Sequence, residues 1–344
     1  MKFNLTILPA ACLLILMTGC KKDKLAVPET EKASSPLSLA SNIAGPYMVT
    51  TIAGGPYSGS PTLVDGSGKN VRFLYTDGIQ LADDGNIYVA DGNRGVIRKL
   101  SPAGAVTSIK LPDAPGGEQM YGAFSVGVAK DGTINVITAI NDNSDFPETW
   151  IFKPGQPAFV STSTYATNRN LFKDPYEDFF WFNNGFSAFK YQKNPYGSVG
   201  TDEVDFNTDE LSTPSNPHGS FSAFCIGYNK VKYFSDGPFI YQYTPGGRSE
   251  RLFMDLGLDR FSMITGLAIT KNARTFYVAD SGYIRRIDDG KVTTIAGPDQ
   301  SGDNKDGQGR RADVHALSIA LSKDEGTLYF SDYQARAIRK IALR

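Results

Sequence analysis

Apolar residues along this chain come in short alternating runs, each ended by Gly, Asp or Asn. Tyr88-Val89-Ala90-Asp91, Tyr233-Phe234-Ser235-Asp236, Tyr277-Val278-Ala279-Asp280 and Tyr329-Phe330-Ser331-Asp332 are such runs. Their aromatic and β-branched content suits a pleated, half-buried strand rather than a helix. A tight-turn signal stands before each: Asp84-Gly85, Asn229-Lys230, Asn272-Ala273 and Asp324-Glu325-Gly326, with Asp131-Gly132 marking a further one. Gly tolerates positive φ, and Asp or Asn bonds its own backbone, so these pairs turn a chain sharply. Two weaker runs fit the same spacing, Asn135-Val136-Ile137-Thr138 and Phe179-Phe180-Trp181-Phe182-Asn183. The predicted unit is strand, tight turn, strand, turn, strand, turn, strand, and helical periodicity is nearly absent.

The second strands of these units end near 91, 139, 183, 236, 280 and 332, at intervals of about 44 to 53 residues, the period of a four-stranded blade. The pattern predicts an all-β chain folded as a six-bladed β-propeller. The unit is written most clearly at its two ends. Val49-Thr50-Thr51-Ile52-Ala53-Gly54 recurs as Val292-Thr293-Thr294-Ile295-Ala296-Gly297, each followed by a Gly- and Asp-rich loop, Asp65-Gly66-Ser67-Gly68 or Asp306-Gly307-Gln308-Gly309. Each then runs on to a strand pair ending in Ile97-Arg98-Lys99 or Ile338-Arg339-Lys340. The last unit supplies three strands, whereas Met48 to Ala53 is a fourth-type strand with no unit before it. The N-terminal strand is therefore expected to pair with 337–342 and close the ring, removing an exposed edge.

Together, Val-Thr-Thr-Ile-Ala-Gly, Asp-Gly-x-Gly, Gly78-Ile79, Tyr-Val-Ala-Asp and Ile-Arg-Lys resemble NHL repeats. The resemblance is specific over 49–100 and 292–341, good over 266–297, moderate over 221–247, and fades between about 120 and 215. It implies an NHL-type propeller. Some NHL-type lyases bind a metal through histidines at a channel mouth, which makes His218 and His315 weak candidates for a divalent metal here.

The start of the chain changes the picture by giving it an address. Lys2, an apolar stretch from Leu5 to Met17, and Leu16-Met17-Thr18-Gly19-Cys20 resemble a bacterial lipobox, and the stretch is shorter than a membrane-spanning helix requires. The resemblance implies cleavage before Cys20 and lipidation of its thiol; an ordinary secretory signal is the alternative. The charged run Lys21-Lys22-Asp23-Lys24 resembles the surface-export signal of Bacteroidetes-type envelope lipoproteins and also fits a solvated linker. The expected organisation is 1–19 signal peptide, 20–45 lipidated cysteine and flexible tether, and 46–344 propeller, held at the outer membrane by the lipid. Charge adds little: 35 Lys and Arg against 36 Asp and Glu give −1, with no basic face for nucleic acid.

Candidate chemistry is sparse. Asp91, Asp236, Asp280 and Asp332 recur at one position, which argues for caps on the following turn rather than a carboxylate ring for a metal. The Asp-Gly-x-Gly loops lack the ligand alternation of a calcium loop and read as turns into the next blade. The acidic stretch 201–210 reads as an exposed edge strand or loop, with a weak cation site as the alternative. Cys225 sits alone in an apolar run and reads as a buried, inert thiol. His218 and His315 each precede a first strand, but a catalytic zinc site takes three protein ligands. The unusual region is the middle, where Tyr176, Trp181, Phe186, Tyr191 and Tyr196 either fill the core of a degenerate blade or form a contact surface for sugars or a protein partner. The functional expectation is a scaffold binding a protein or glycan partner, with no cofactor assigned. A metal-dependent lyase, lactonase or hydrolase at the channel mouth is the alternative.

Overall fold

The computed structural model describes residues 46–344 apart from 59–61, 93–94, 140–146, 163–169, 184–186, 194–198, 206–220, 244–248 and 254–260. Residues 1–45, where the signal peptide, Cys20 and the tether are expected, lie outside the described residues. The alternating runs form strands, and the strands form six antiparallel sheets. The first sheet holds Ile79–Leu81, Ile87–Val89, Val96–Leu100 and Ala105–Lys110. The second holds Ala123–Val128, Ile134–Ala139, Pro147–Phe152 and Phe159–Thr162. The third, where the repeat pattern fades, still holds Leu171–Lys173, Phe180–Asn183, Ser187–Lys193 and Val199–Asp205. The fourth holds Phe221–Ile226, Lys232–Asp236, Phe239–Tyr243 and Ser249–Arg251, and the fifth Ile264–Ile269, Thr275–Asp280, Tyr283–Asp288 and Lys291–Ala296. In the sixth, Ala316–Leu321, Thr327–Asp332 and Ala337–Ala342 are completed by Met48–Gly54.

The expected joining of the first and last strands is present. Val49 pairs with Ile341, Thr50 with Lys340, Thr51 with Arg339 and Gly54 with Ala337. Val49 packs among Tyr277, Ile284, Leu328 and Phe330, while Ala53 packs among Phe73, Val89 and Ile338. One strand thus feeds the apolar layers on both sides of its sheet. Gly54 has φ 87°, and a Cβ there would run into the Arg336 carbonyl and the Phe73 ring. Its counterpart Gly297 leaves room for the Tyr283 ring. The hexapeptide ends in glycine because another segment passes directly over that position.

Side chains on the first strands link neighbouring sheets in a circle. Ile79 N donates to Ser318 Oγ (3.3 Å), Val128 N to Gln80 Oε1 (2.6 Å) and Leu171 N to Ser125 Oγ (2.9 Å). Asn170 Nδ2 donates to the Ser222 carbonyl (3.0 Å), Ser222 Oγ to that of Ile264 (2.5 Å) and Thr265 Oγ1 to that of Leu317 (2.7 Å). These bonds join the sixth sheet to the first and each later sheet to the next. The arrangement is a β-propeller, with the first strands around a central channel.

The recurring polar residues serve this frame. Asp91, Asp280 and Asp332 are fully buried. Asp91 accepts from the backbone of Leu74 (2.6 Å) and Tyr75 (2.9 Å) and from Arg98 (2.8 Å). Asp280 accepts from Ser262 N (2.8 Å), Met263 N (3.0 Å) and Arg285 (3.0 Å). The turn-capping expectation needs correction here: Asp91 and Asp280 hold the segment leading into the first strand of their own sheet. Asp332 does both, accepting from Ala335 N (3.0 Å) in the following turn and from His315 N (3.2 Å), besides pairing with Arg339 (2.7 Å).

The Asp-Gly-x-Gly loops do more than turn. Gly66–Ser67 and Gly307–Gln308 each add a fifth strand at the outer edge of a sheet. Asp65 accepts from Ser108 N (2.9 Å) and Ser108 Oγ (2.8 Å) on the outer strand and pairs with Arg98 (2.9 Å). Asp306 does the same with Thr51 N (2.9 Å), Thr51 Oγ1 (2.8 Å) and Arg339 (3.2 Å). Each arginine thus ties a buried carboxylate to a loop carboxylate across its sheet. Val199–Asp205, from the acidic stretch, is an edge strand as expected.

The closure can be tested by truncation and by substitution. Deleting 46–54 removes an outer strand and the burial of Val49 and Ala53, at a cost of about 3 kcal/mol or more. The thermal midpoint should fall by roughly 5 °C or more, and an unchanged melt would refute the closure. Arg339→Met strands a buried carboxylate and should cost about 3–5 kcal/mol in urea unfolding at neutral pH. A loss no greater than that of a surface lysine variant would show the pair to be dispensable.

Candidate functional site

The propeller offers two channel mouths. At one, which we call the hairpin mouth, the turns joining the first and second strands gather. At the other, the loop mouth, lie the segments leading into each first strand and the turns joining second and third strands.

Contacts run right around the hairpin mouth. Lys130 of the second sheet's turn has its ammonium 3.8 Å from Asp83 of the first, and its backbone N–H donates to Asp178 of the third (3.0 Å). Tyr176 Oη, from the third, donates to the Gly227 carbonyl of the fourth (2.7 Å). Tyr176 and Tyr228 meet edge to face at 6.1 Å. Lys230 lies 5.5 Å over the Tyr176 ring, and Lys271 of the fifth sheet lies 5.7 Å over the Tyr228 ring. Lys271 also donates to the Lys323 carbonyl (2.6 Å), and Lys323 pairs with Asp83 (2.8 Å), which completes the circle. The Lys323 hydrogen bond holds the Asp83 carboxyl below the usual carboxylate range against partial burial, with the charges of Lys323, Lys130 and Lys173 adding to the effect.

Below this rim lies a cavity of about 260 Å³, walled by the first strands and lined at its mouth by Tyr228, Lys173, Lys271, Lys323 and Glu325. It offers an aromatic face, several cations and one carboxylate at the opening over an apolar floor that includes Leu267 and Ile319. Such a set can stack on a ring and bond its substituents. Cys225 lines the same cavity, and burial pushes its thiol up. Cys225 is half-buried rather than buried as expected, and the upward shift of its thiol agrees with the inert role expected of it.

The aromatic candidates separate here. Tyr176 is 42% exposed and stands on the rim, whereas Trp181 is 5% exposed and packs with Phe224 in the layer between the third and fourth sheets. The Trp181 indole donates to Asp174 (2.9 Å), so its polar edge is satisfied inside. It is a core residue and not a contact candidate. Tyr191 lies in the strand Ser187–Lys193, and Phe186 and Tyr196 fall outside the described residues. Tyr228 and the rim lysines were missed by looking for dense aromatics. The available signal was positional: Asp83, Lys130, Tyr228, Lys271 and Lys323 all follow a first strand at the same place in the repeat.

His315 sits at the loop mouth, half-buried, with its ring 5.7 Å edge to face from Tyr333 and its Nδ1 buried without a partner. His218 falls outside the described residues. Among the described residues, no three His, Cys, Asp or Glu side chains are grouped so as to hold a metal.

The rim's electrostatics can be tested by NMR titration. Asp83 should titrate below an ordinary aspartate, and Lys323→Ala should move it upward. By linkage its pairing stabilises the fold above the ordinary carboxylate range and is lost as pH falls through the depressed value. An Asp83 titration that Lys323→Ala leaves in place would rule out the pairing. The Cys225 peptide should resist iodoacetamide in the native protein and react once denatured.

No family model matches the chain, and no curated protein matches it. Solved structures do. An auxiliary nutrient binding protein from Bacteroides thetaiotaomicron is similar at TM-score 0.62 and 15% identity, over 86% of this chain and 76% of that one. A streptogramin B lyase is similar at TM-score 0.50 and 14% identity, over 82% and 98%. A gluconolactonase from Xanthomonas campestris is similar at TM-score 0.52 and 9% identity, over 86% and 98%. At such identities the likeness shows the fold alone, and this fold carries binding proteins and enzymes alike.

Proposed function

We propose that this chain is a cell-envelope lipoprotein, anchored to the outer membrane through Cys20, whose propeller binds a glycan or protein partner at the hairpin mouth. The propeller is read as six-bladed and of NHL type, which the six sheets, the closed circle of inter-sheet bonds and the repeat pattern support. The observation that carries the binding role is the exposed Tyr176–Tyr228 pair with Lys230 and Lys271 over its rings, set above a cavity. Exposed tyrosine faces supply contact area at low entropic cost. The name of the nutrient binding neighbour is compatible with such a role. The enzyme alternative, a metal-dependent lyase, lactonase or hydrolase, would have to build its metal site with His218.

Glycan-array screening and capture from envelope extract test the proposal. Wild-type protein should retain a glycan or an envelope protein, and Tyr228→Ala should weaken retention about tenfold, the effect of losing one aromatic hot spot. Retention that survives Tyr228→Ala and Tyr176→Ala together would place the partner elsewhere. Stoichiometric metal in the purified protein, lost in His218→Ala, would favour the enzyme.

A further inference from the structure

The loop mouth holds a second cavity, of about 420 Å³, between the first, fifth and sixth sheets. It opens at the far end of the first strands from the rim tyrosines, so a ligand seated in it would leave Tyr176 and Tyr228 untouched. Its wall includes Tyr75, Met263 and Tyr333, which are 59, 55 and 48% exposed. Among the described residues these are three of the six large apolar side chains left exposed. Tyr75 lies over Gly92 and Tyr333 meets the His315 ring edge to face, yet each keeps about half of its surface exposed. The backbones are already held, those of Tyr75 and Met263 by N–H bonds to the buried Asp91 and Asp280, and that of Tyr333 by an N–H bond to the His315 carbonyl. The exposed part of each side chain lines the opening.

Two charged residues complete the wall, Arg336 and Asp77. Arg98, Arg285 and Arg339 each pair with a buried aspartate. Arg336 has no carboxylate partner among the described residues, and its guanidinium lies 4.9 Å over the Tyr57 ring. Its backbone sits in the left-handed region at φ 50°, pressed against Gly54, so the guanidinium springs from a fixed point at the mouth. A guanidinium so placed presents a planar fork suited to a carboxylate. Asp77 is an acceptor, and a carboxylate has lone pairs enough for a ligand hydroxyl beside any existing bond.

We infer that this cavity is a binding site for an acidic sugar, a hexuronate alone or at the end of a short chain. The tyrosine rings take the flat C–H face of the pyranose, Arg336 takes the carboxylate and Asp77 accepts from ring hydroxyls. The volume lies within the usual range for small-molecule sites, roughly 300–1,000 Å³.

Calorimetry on the full chain with glucuronate, glucose and benzoate tests this. Glucuronate should bind, and glucose should bind about tenfold more weakly for want of the charge-assisted bond. Arg336→Gln should erase the preference for glucuronate over glucose. Tyr75→Ala and Tyr333→Ala should weaken both sugars, and Tyr228→Ala at the other mouth should change neither. Circular dichroism and a melting curve on each variant separate lost binding from lost folding. No glucuronate binding at millimolar concentration, an undiminished preference in Arg336→Gln, or benzoate bound more tightly than glucuronate would each overturn the inference.

Discussion

The pairing of Met48–Gly54 with Ala337–Ala342 completes the sixth sheet from the far end of the chain and so holds the ring shut. A ring of sheets has no natural end, and an unpaired final edge would leave a row of backbone donors and acceptors open. Here the strand at 48–54 fills that edge. Its side chains enter the apolar layers on both sides of the sixth sheet, and its Gly54 lies beneath the Arg336 backbone. The contact between the first and last strands thus fixes a position at the loop mouth.

In the first and sixth sheets, a buried arginine performs a second closure. Arg98 and Arg339 reach from a buried aspartate near the centre to a loop aspartate at the periphery. A buried ion pair of this kind offers little net stability over an apolar substitute, but leaving one partner alone is costly. The pair therefore acts mainly to specify which loop lies over which sheet. The repeated Asp-Gly-x-Gly and Ile-Arg-Lys strings belong to one unit, although about thirty residues separate them.

A frame built this way leaves its two mouths free to vary. The hairpin mouth carries cations and two tyrosines over a cavity of about 260 Å³, and the loop mouth carries exposed Tyr75, Met263 and Tyr333 around one of about 420 Å³. Five of the six exposed large apolar residues among the described ones lie at these mouths. Of these side chains Tyr176 also bonds the Gly227 carbonyl of the next sheet, while Tyr75, Met263 and Tyr333 are anchored through their backbones.

Local alternation, turn chemistry and repetition, all visible in the sequence, were enough to establish the strands, the four-stranded unit, the pairing of 48–53 with 337–342 and the structural part played by Asp91, Asp280 and Asp332. They did not establish where a buried aspartate sends its bonds, since the segments that Asp91 and Asp280 hold lie sixteen to eighteen residues away along the chain. Nor could they separate Tyr176 from Trp181. Both lie in one aromatic run, but Tyr176 stands in a turn at the mouth while Trp181 points from a strand into the layer between two sheets. The two mouths belong to the tertiary structure alone. Tyr75, Met263, Tyr333 and Arg336 are scattered along the chain, and only the closing of the ring brings the first and last sheets together around one cavity.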